Sequence, residues 1–329
     1  MANHCLYIIG NGFDRFHGLP TSYSDFGNYI KSHDQEFYEY LTNWYPTFID
    51  NQKKCVFSLW ADYENGLKEI DQELLWQYIN DHLTQYGDDN WGDEDNHRVQ
   101  YIIQSLVDDI TTKLKNYLIT WICSIDVQTA FKRLQLDEDA IYFTFNYTKT
   151  LESYYKIPSR QIIHIHGITD DPASIITGHN MKLLPPTNDF DDIRLYECEK
   201  IIHNDYFYKT FKPVESIIQN YKKFFCSLSN ISEIIVIGHS LNEIDLPYYK
   251  MILSKVSDET IWNISFKDSE DKKVFYKAKK RSAPAFIPLK INARKYTINM
   301  ILMLKSEGKS TYNEIWVYVY FHYKRGMLL

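Results

Sequence analysis

The chain has 329 residues, 44% apolar and 16% aromatic, which is enough for one large core or two smaller ones and excludes a disordered chain. No stretch approaches the roughly 20 uninterrupted apolar residues of a membrane-spanning helix, and Met1-Ala2-Asn3-His4 does not begin a signal peptide, so a cytoplasmic protein without membrane contact is expected. The net charge of −7 is uneven: from Lys272 onward 13 Lys/Arg face two acidic residues, which leaves 23 against 41 before it, and so acidic a body repels phosphate and argues against general nucleic-acid binding. Cys5, Cys55, Cys123, Cys198 and Cys226 form no Cys-x-x-Cys pair, so neither a zinc ribbon nor a disulfide framework is expected.

In chain order, Cys5–Ile9 is a short apolar run stopped by Gly10, read as a buried strand. Residues 24–132 then read as a helical insertion. Trp60, Tyr63, Leu67, Ile70 and Leu74 recur at helical spacing, as do Leu106, Ile110, Leu114 and Leu118. Gly87–Asp95, with five acidic residues and two glycines, reads as a loop inside that block. Four further apolar or β-branched runs follow: Ala140–Phe145, Gln161–Ile165, Ile234–Ile237 and Thr260–Phe266. Helical segments around Lys149–Tyr155, Phe207–Cys226 and Glu243–Val256 separate most of them. Strands that alternate with helices and are apolar throughout imply a Rossmann-like parallel sheet covered on both faces. The expected organisation is a nucleotide-binding domain over 1–23 and 133–271, the insertion over 24–132, and a basic tail over 272–329 of unassigned role. In that tail Pro284 and Pro288 break the pattern, and Ile315–Tyr323 reads as an added strand.

Four polar motifs directly follow predicted strands. Gly10-Asn11-Gly12-Phe13-Asp14 after the first strand suits either a plain tight turn or a loop whose backbone approaches a pyrophosphate. The third glycine of a full dinucleotide fingerprint is replaced by Arg15. Asn146, in Phe145-Asn146-Tyr147, suits a turn or the positioning of a water or sugar hydroxyl. In His164-Ile165-His166-Gly167, strand periodicity places both histidines on one side. His166 at the strand end suits general acid–base work, and His164 a buried, hydrogen-bonded neighbour. No acidic or His cluster accompanies them at ligand spacing, so no metal is expected. Gly238-His239-Ser240-Leu241-Asn242 resembles a nucleophile elbow but ends in Asn242, and Ser240 with Asp245 suits ribose or phosphate binding better than a hydrolase triad. In an open parallel sheet, loops at the carboxyl ends of strands converge on one crevice.

The order of these motifs, with His17-Gly18-Leu19-Pro20-Thr21-Ser22-Tyr23, Asp25-Phe26, Trp60 and Glu64, resembles the phage abortive-infection AbiH family over roughly residues 4–270. That family in turn resembles sirtuin-like NAD-consuming proteins of bacterial defence. Gly10-Asn11-Gly12 and Gly18-Leu19-Pro20 parallel the sirtuin G-A-G and G-I-P motifs, Asn146 and His166 the catalytic pair, and Gly238–Ser240 the adenosine-side segment. The sirtuin zinc ribbon has no counterpart, which argues against protein deacetylation. The resemblance implies an antiphage NAD-hydrolysing enzyme, with His166 and Asn146 catalytic. Gly10, Asn11, Gly12, Phe13, Asp14, Gly238, Ser240 and Asp245 would hold NAD, and a phage or host trigger and a second copy of the chain are the implied partners. The alternative is a non-catalytic module that senses a nucleotide and binds a partner.

Overall fold

The computed structural model describes residues 4–45, 59–87, 91–131, 134–186 and 189–265, and as backbone strands 48–49, 55–57, 285–293, 296–305 and 314–321. The chain divides into two compact units: Met1–Pro20, Asp126–Ile168 and Val214–Leu329 form the first, Thr21–Ile125 and Thr169–Pro213 the second.

The first unit is built on five strands: β1 (Cys5–Ile9), β2 (Ile141–Thr144), β3 (Ile162–His164), β4 (Glu233–Ile237) and β5 (Ile261–Ile264). They pair in the order β3-β2-β1-β4-β5, every pair parallel, so the chain starts at the centre and builds outward in both directions. Every residue of β1 is buried, as a central parallel strand covered on both faces requires. Tyr7 and Tyr142 stack at 4.9 Å on one face, within a core that also holds Cys5, Ile9, Phe13, Leu151, Tyr155 and Ile162. Phe143, one residue along β2, points to the opposite face and packs against Phe224, Phe225 and Tyr248. The parallel, two-face-covered sheet expected from the sequence is therefore present. The strand order reverses between β1 and β4, the place where ligands bind in such sheets.

In the second unit, the periodic run from Trp60 to Leu74 is divided by two aspartate caps. Asp62 starts the short helix Tyr63–Gly66, and Asp71 accepts from the Leu74 N–H at 2.9 Å to start Gln72–Asp81. The later run is continuous. Arg98–Asp108, a π-helical stretch over Asp109–Lys113 and Leu114–Ser124 follow one another, with Leu106, Ile110, Leu114 and Leu118 all buried. This unit also takes in 169–213, which the sequence reading places with the sheet. Four contacts tie that stretch to the helices or to itself: Lys212 to Glu64 at 2.9 Å, Arg194 Nη1 to the Thr84 carbonyl at 2.8 Å, and two backbone bonds joining His179 to Thr210 and to Lys212.

After β5, β6 (Ala285–Ala293), β7 (Tyr296–Lys305) and β8 (Glu314–Phe321) form an antiparallel sheet in the order β8-β7-β6. The strand expected at Ile315–Tyr323 is there as far as Phe321, with two others, and His322 and Tyr323 lie outside the described residues. Pro288 does not break β6, because β6 is an edge strand, where a missing N–H is tolerated. Lys272–Arg281, Pro284 and Phe266 lie outside the described residues. Among the described residues, no helix is long and apolar enough to cross a membrane. Cys5 and Cys198 are buried, as expected of small apolar residues, whereas Cys123 and Cys226 are exposed.

Candidate functional site

The glycines after β1 meet another loop at close range. Gly10 precedes helix α1 (Asn11–Phe16), and the Gly12 N–H donates to the Gly238 carbonyl at 2.7 Å. A Cβ on Gly12 would lie 2.7 Å from that oxygen and 2.8 Å from the Gly238 Cα. Gly238, at φ +67, is held as tightly, because its own Cβ would fall 2.1 Å from the Phe13 nitrogen. The three glycines thus let two backbones cross at the β1/β4 switch point. The Phe13 N–H is also engaged, to the Gly10 carbonyl at 2.9 Å. Two amides that the sequence reading offered to a pyrophosphate therefore have acceptors within the protein. Phe13 itself is fully buried in the core against His17 and Tyr155.

Asp14 lies in the first turn of α1 and is 1% exposed. Its Oδ2 accepts from Thr148 Oγ1 at 2.5 Å, and Thr148 and Thr150 hydroxyls lie 3.2 Å apart. Burial disfavours the ionised carboxylate and pushes Asp14 up to about 6, with hydrogen bonds from Thr148, Thr150 and Asn146 and the nearby His164 offsetting part of the cost. Asn146 is 8% exposed, and its backbone N–H donates to Thr144 Oγ1 at 3.0 Å. Asp14 Oδ1 and Asn146 Oδ1 are both sealed from solvent and accept no hydrogen bond. Buried acceptors without donors are uncommon, and each costs about 1–3 kcal/mol. Behind them, His164 reaches the Asn146 carbonyl through Nδ1 at 2.9 Å and Glu152 through Nε2 at 2.8 Å. Both bonds form together when each ring nitrogen carries a proton. His164 is thus the hydrogen-bonded neighbour the sequence suggested.

The two histidines do not share a side, contrary to the strand-period expectation. β3 ends at His164 and residues 165–166 turn, so the period of two ends there. His166 instead places Nε2 3.1 Å from the Tyr248 hydroxyl and packs edge-on to Phe145 at 5.3 Å. Phe145 touches His239 as well, at 4.3 Å, and Tyr249 stacks on it at 6.3 Å. His239 accepts the Leu241 N–H through Nδ1 at 2.9 Å and meets Asp245 through Nε2 at 3.3 Å. Both of its nitrogens are thereby engaged, leaving neither to activate Ser240, which is exposed. Leu241, at φ +57, holds this loop in the left-handed region that side chains rarely adopt.

Contacts thus join Asn146 to Asp14, and join Phe145 to His166 and to His239, which meets Asp245. Thr148, Thr150, Glu152 and Tyr248 were missed in the sequence. The threonines carry no motif, although their spacing after Asn146 in Asn-x-Thr-x-Thr was available. Among the described residues no group of three or more His, Cys, Asp or Glu is placed to hold a metal ion.

No curated protein matches the chain, and no solved structure does. The family model described as "Bacteriophage abortive infection AbiH" matches residues 6–266, a span that opens within β1 and takes in the Asp14 turn, Asn146, His166 and the Gly238–Asp245 loop. With most of its length and all of these positions inside that match, the chain belongs to the bacteriophage abortive infection AbiH family.

Proposed function

We propose that this AbiH protein is a sirtuin-like abortive-infection enzyme that hydrolyses the nicotinamide–ribose bond of cytoplasmic NAD. The observation that carries the reading is the buried pair of unpartnered acceptors, Asp14 Oδ1 and Asn146 Oδ1, at the carboxyl ends of adjacent parallel strands. Asn146 holds the water or a ribose hydroxyl, and His166 is the base, its ring fixed by the Tyr248 hydroxyl. The water oxygen bonds to the anomeric carbon, and the bond to the pyridinium nitrogen breaks. Its electron pair stays on nicotinamide, and the water's proton passes to the base. Such proton management is typically worth about 10²–10⁴-fold in rate. The Gly10–Asp14 turn faces the pyrophosphate, and Gly238, Ser240 and Asp245 the adenosine side. Since the Gly12 and Phe13 amides are engaged internally, the turn contributes less to phosphate binding than a full fingerprint would.

A phage or host trigger, with or without assembly of several copies, would release the activity. The test is the NAD level in cells expressing wild type, His166→Ala or Asn146→Ala, with and without phage. Depletion on infection in wild type alone supports the reading. Unchanged NAD in every strain with protection intact overturns it. One observation favours a second reading, a nucleotide-sensing module without catalysis: His166 is 3% exposed and its Nε2 is already bonded to Tyr248. Recovery of bound NAD intact, rather than as ADP-ribose, would select that reading.

A further inference from the structure

The chemistry of the Asp14 corner is one-sided. Asp14 Oδ1 and Asn146 Oδ1 are both acceptors, both sealed, and both without a donor. The donors nearby are already used: Asp14 takes hydrogen bonds from Thr148, Thr150 and the Asn146 amide, none of which reaches Oδ1, and His164 spends one nitrogen on Glu152 and the other on the Asn146 carbonyl. What the corner lacks among the protein's own groups is two hydrogen-bond donors, which a small hydroxyl-bearing ligand supplies by displacing water. Phosphate, an acceptor at neutral pH, would set oxygen against oxygen here. An apolar group would leave the desolvation cost of both atoms in place. Two hydroxyls on adjacent carbons supply one O–H for each atom.

We propose that Asp14 and Asn146 form a hydroxyl-recognition site that takes the cis-diol of a ribosyl ligand, each accepting from one hydroxyl. The choice of a ribosyl diol rests on the nucleotide reading above; the requirement for a pair of donors rests on the orphaned atoms alone. Asp14, expected from its motif only as one of several NAD-holding residues, thereby becomes the residue that selects for a ligand hydroxyl. Thr148 is a positioning residue, since its hydroxyl holds the other carboxylate oxygen and leaves Oδ1 directed away from it. Because neither acceptor meets solvent, the described conformation is the closed one, and ligand admission needs local movement around them.

The experiment is calorimetry on the full chain with ADP-ribose and with its analogue lacking the 2-hydroxyl of the terminal ribose. NAD turnover is followed on the same samples, and near-ultraviolet dichroism checks that each variant folds. The wild type should bind ADP-ribose at least tenfold more tightly than the deoxy analogue, since a hydrogen bond to a charged acceptor commonly gives that discrimination. Asp14→Ala should erase the preference, and the near-isosteric Asp14→Asn should reduce it while leaving the dichroism native. No binding of ADP-ribose, equal binding of the two probes, or a preference that survives Asp14→Ala would overturn the proposal. If the preference depends on Asp14 but NAD is never cleaved, the hydrolase reading fails and the diol site stands. If NAD is cleaved and the probes bind equally, the reverse holds.

Discussion

Two buried ionisable groups in this molecule have opposite surroundings. In the helical unit, Lys212 has no exposed side-chain surface and grips Glu64 with two bonds of 2.9 and 3.0 Å. In the sheet unit, Asp14 is almost as deeply buried, yet hydroxyls and an amide surround it and one of its oxygens has no donor. The first is charge compensated by charge, which fixes how two segments meet. The second is charge left partly uncompensated, a cost that packing alone would remove by substituting an apolar side chain. On the proposed reading the contrast separates scaffold from site: the buried charge with a full partner holds the fold, and the one with half a partner is reserved for a ligand.

The largest effect that would test this contrast is at Lys212. Lys212→Met removes the cation that grips Glu64 and should cost roughly 3–5 kcal/mol in urea unfolding. Adding Glu64→Leu should recover most of it. A single variant as stable as wild type would show that the pair is not the strut described. Asp14 should respond with the other sign. Its folded-state pKa is raised from the usual 3.8 to about 6, so the folded state binds the proton more tightly. Its penalty is therefore absent below the unfolded value and grows as pH rises through 6. Asp14→Asn should be roughly 2–3 kcal/mol more stable than wild type at pH 8 and lose that advantage near pH 4. Thermal melts across pH 4–8 that run parallel for the two proteins would remove the idea of a strained carboxylate.

A smaller effect belongs to Thr148. Thr148→Val deletes a donor to the ionised form, moves the Asp14 transition to higher pH, and should cost about 1 kcal/mol at pH 8. An unmoved transition would mean that Thr150 and Asn146 suffice. Ser240→Ala should fall within about 0.5 kcal/mol of wild type in stability, as an exposed substitution does, and as an adenosine-side contact it should raise the KM for NAD while leaving turnover at saturating NAD in place. Lost turnover would revive the serine as a reacting group.

How far the sequence disclosed this follows from what periodicity can carry. Strand runs such as Cys5–Ile9 and Ile234–Ile237 announce themselves because full burial demands an unbroken apolar stretch. The glycines announced a close backbone approach without naming its partner, since nothing in Gly10-Asn11-Gly12 says that Gly238 fills the space. His164 and His166 were put on one side because a period of two was extended past the strand's last residue. The attachment of 169–213 to the helices was invisible because Lys212–Glu64 is a pairing across 148 positions. Asp14 and Asn146 were legible as polar residues at strand ends, but their missing donors exist only in three dimensions.

The glycine crossing also sets a schedule for synthesis. The turn at Gly10–Gly12 leaves the ribosome early, but the backbone that packs against it, Gly238, follows more than two hundred residues later. At bacterial elongation rates that is a wait of roughly 10–45 s. Until then β1 has no β4 beside it, and the carboxyl edge of the sheet stays open at its centre. A nascent or truncated chain that stops before Gly238 therefore lacks the backbone crossing, and the proposed pocket can assemble only once nearly the whole family-matched span has been made.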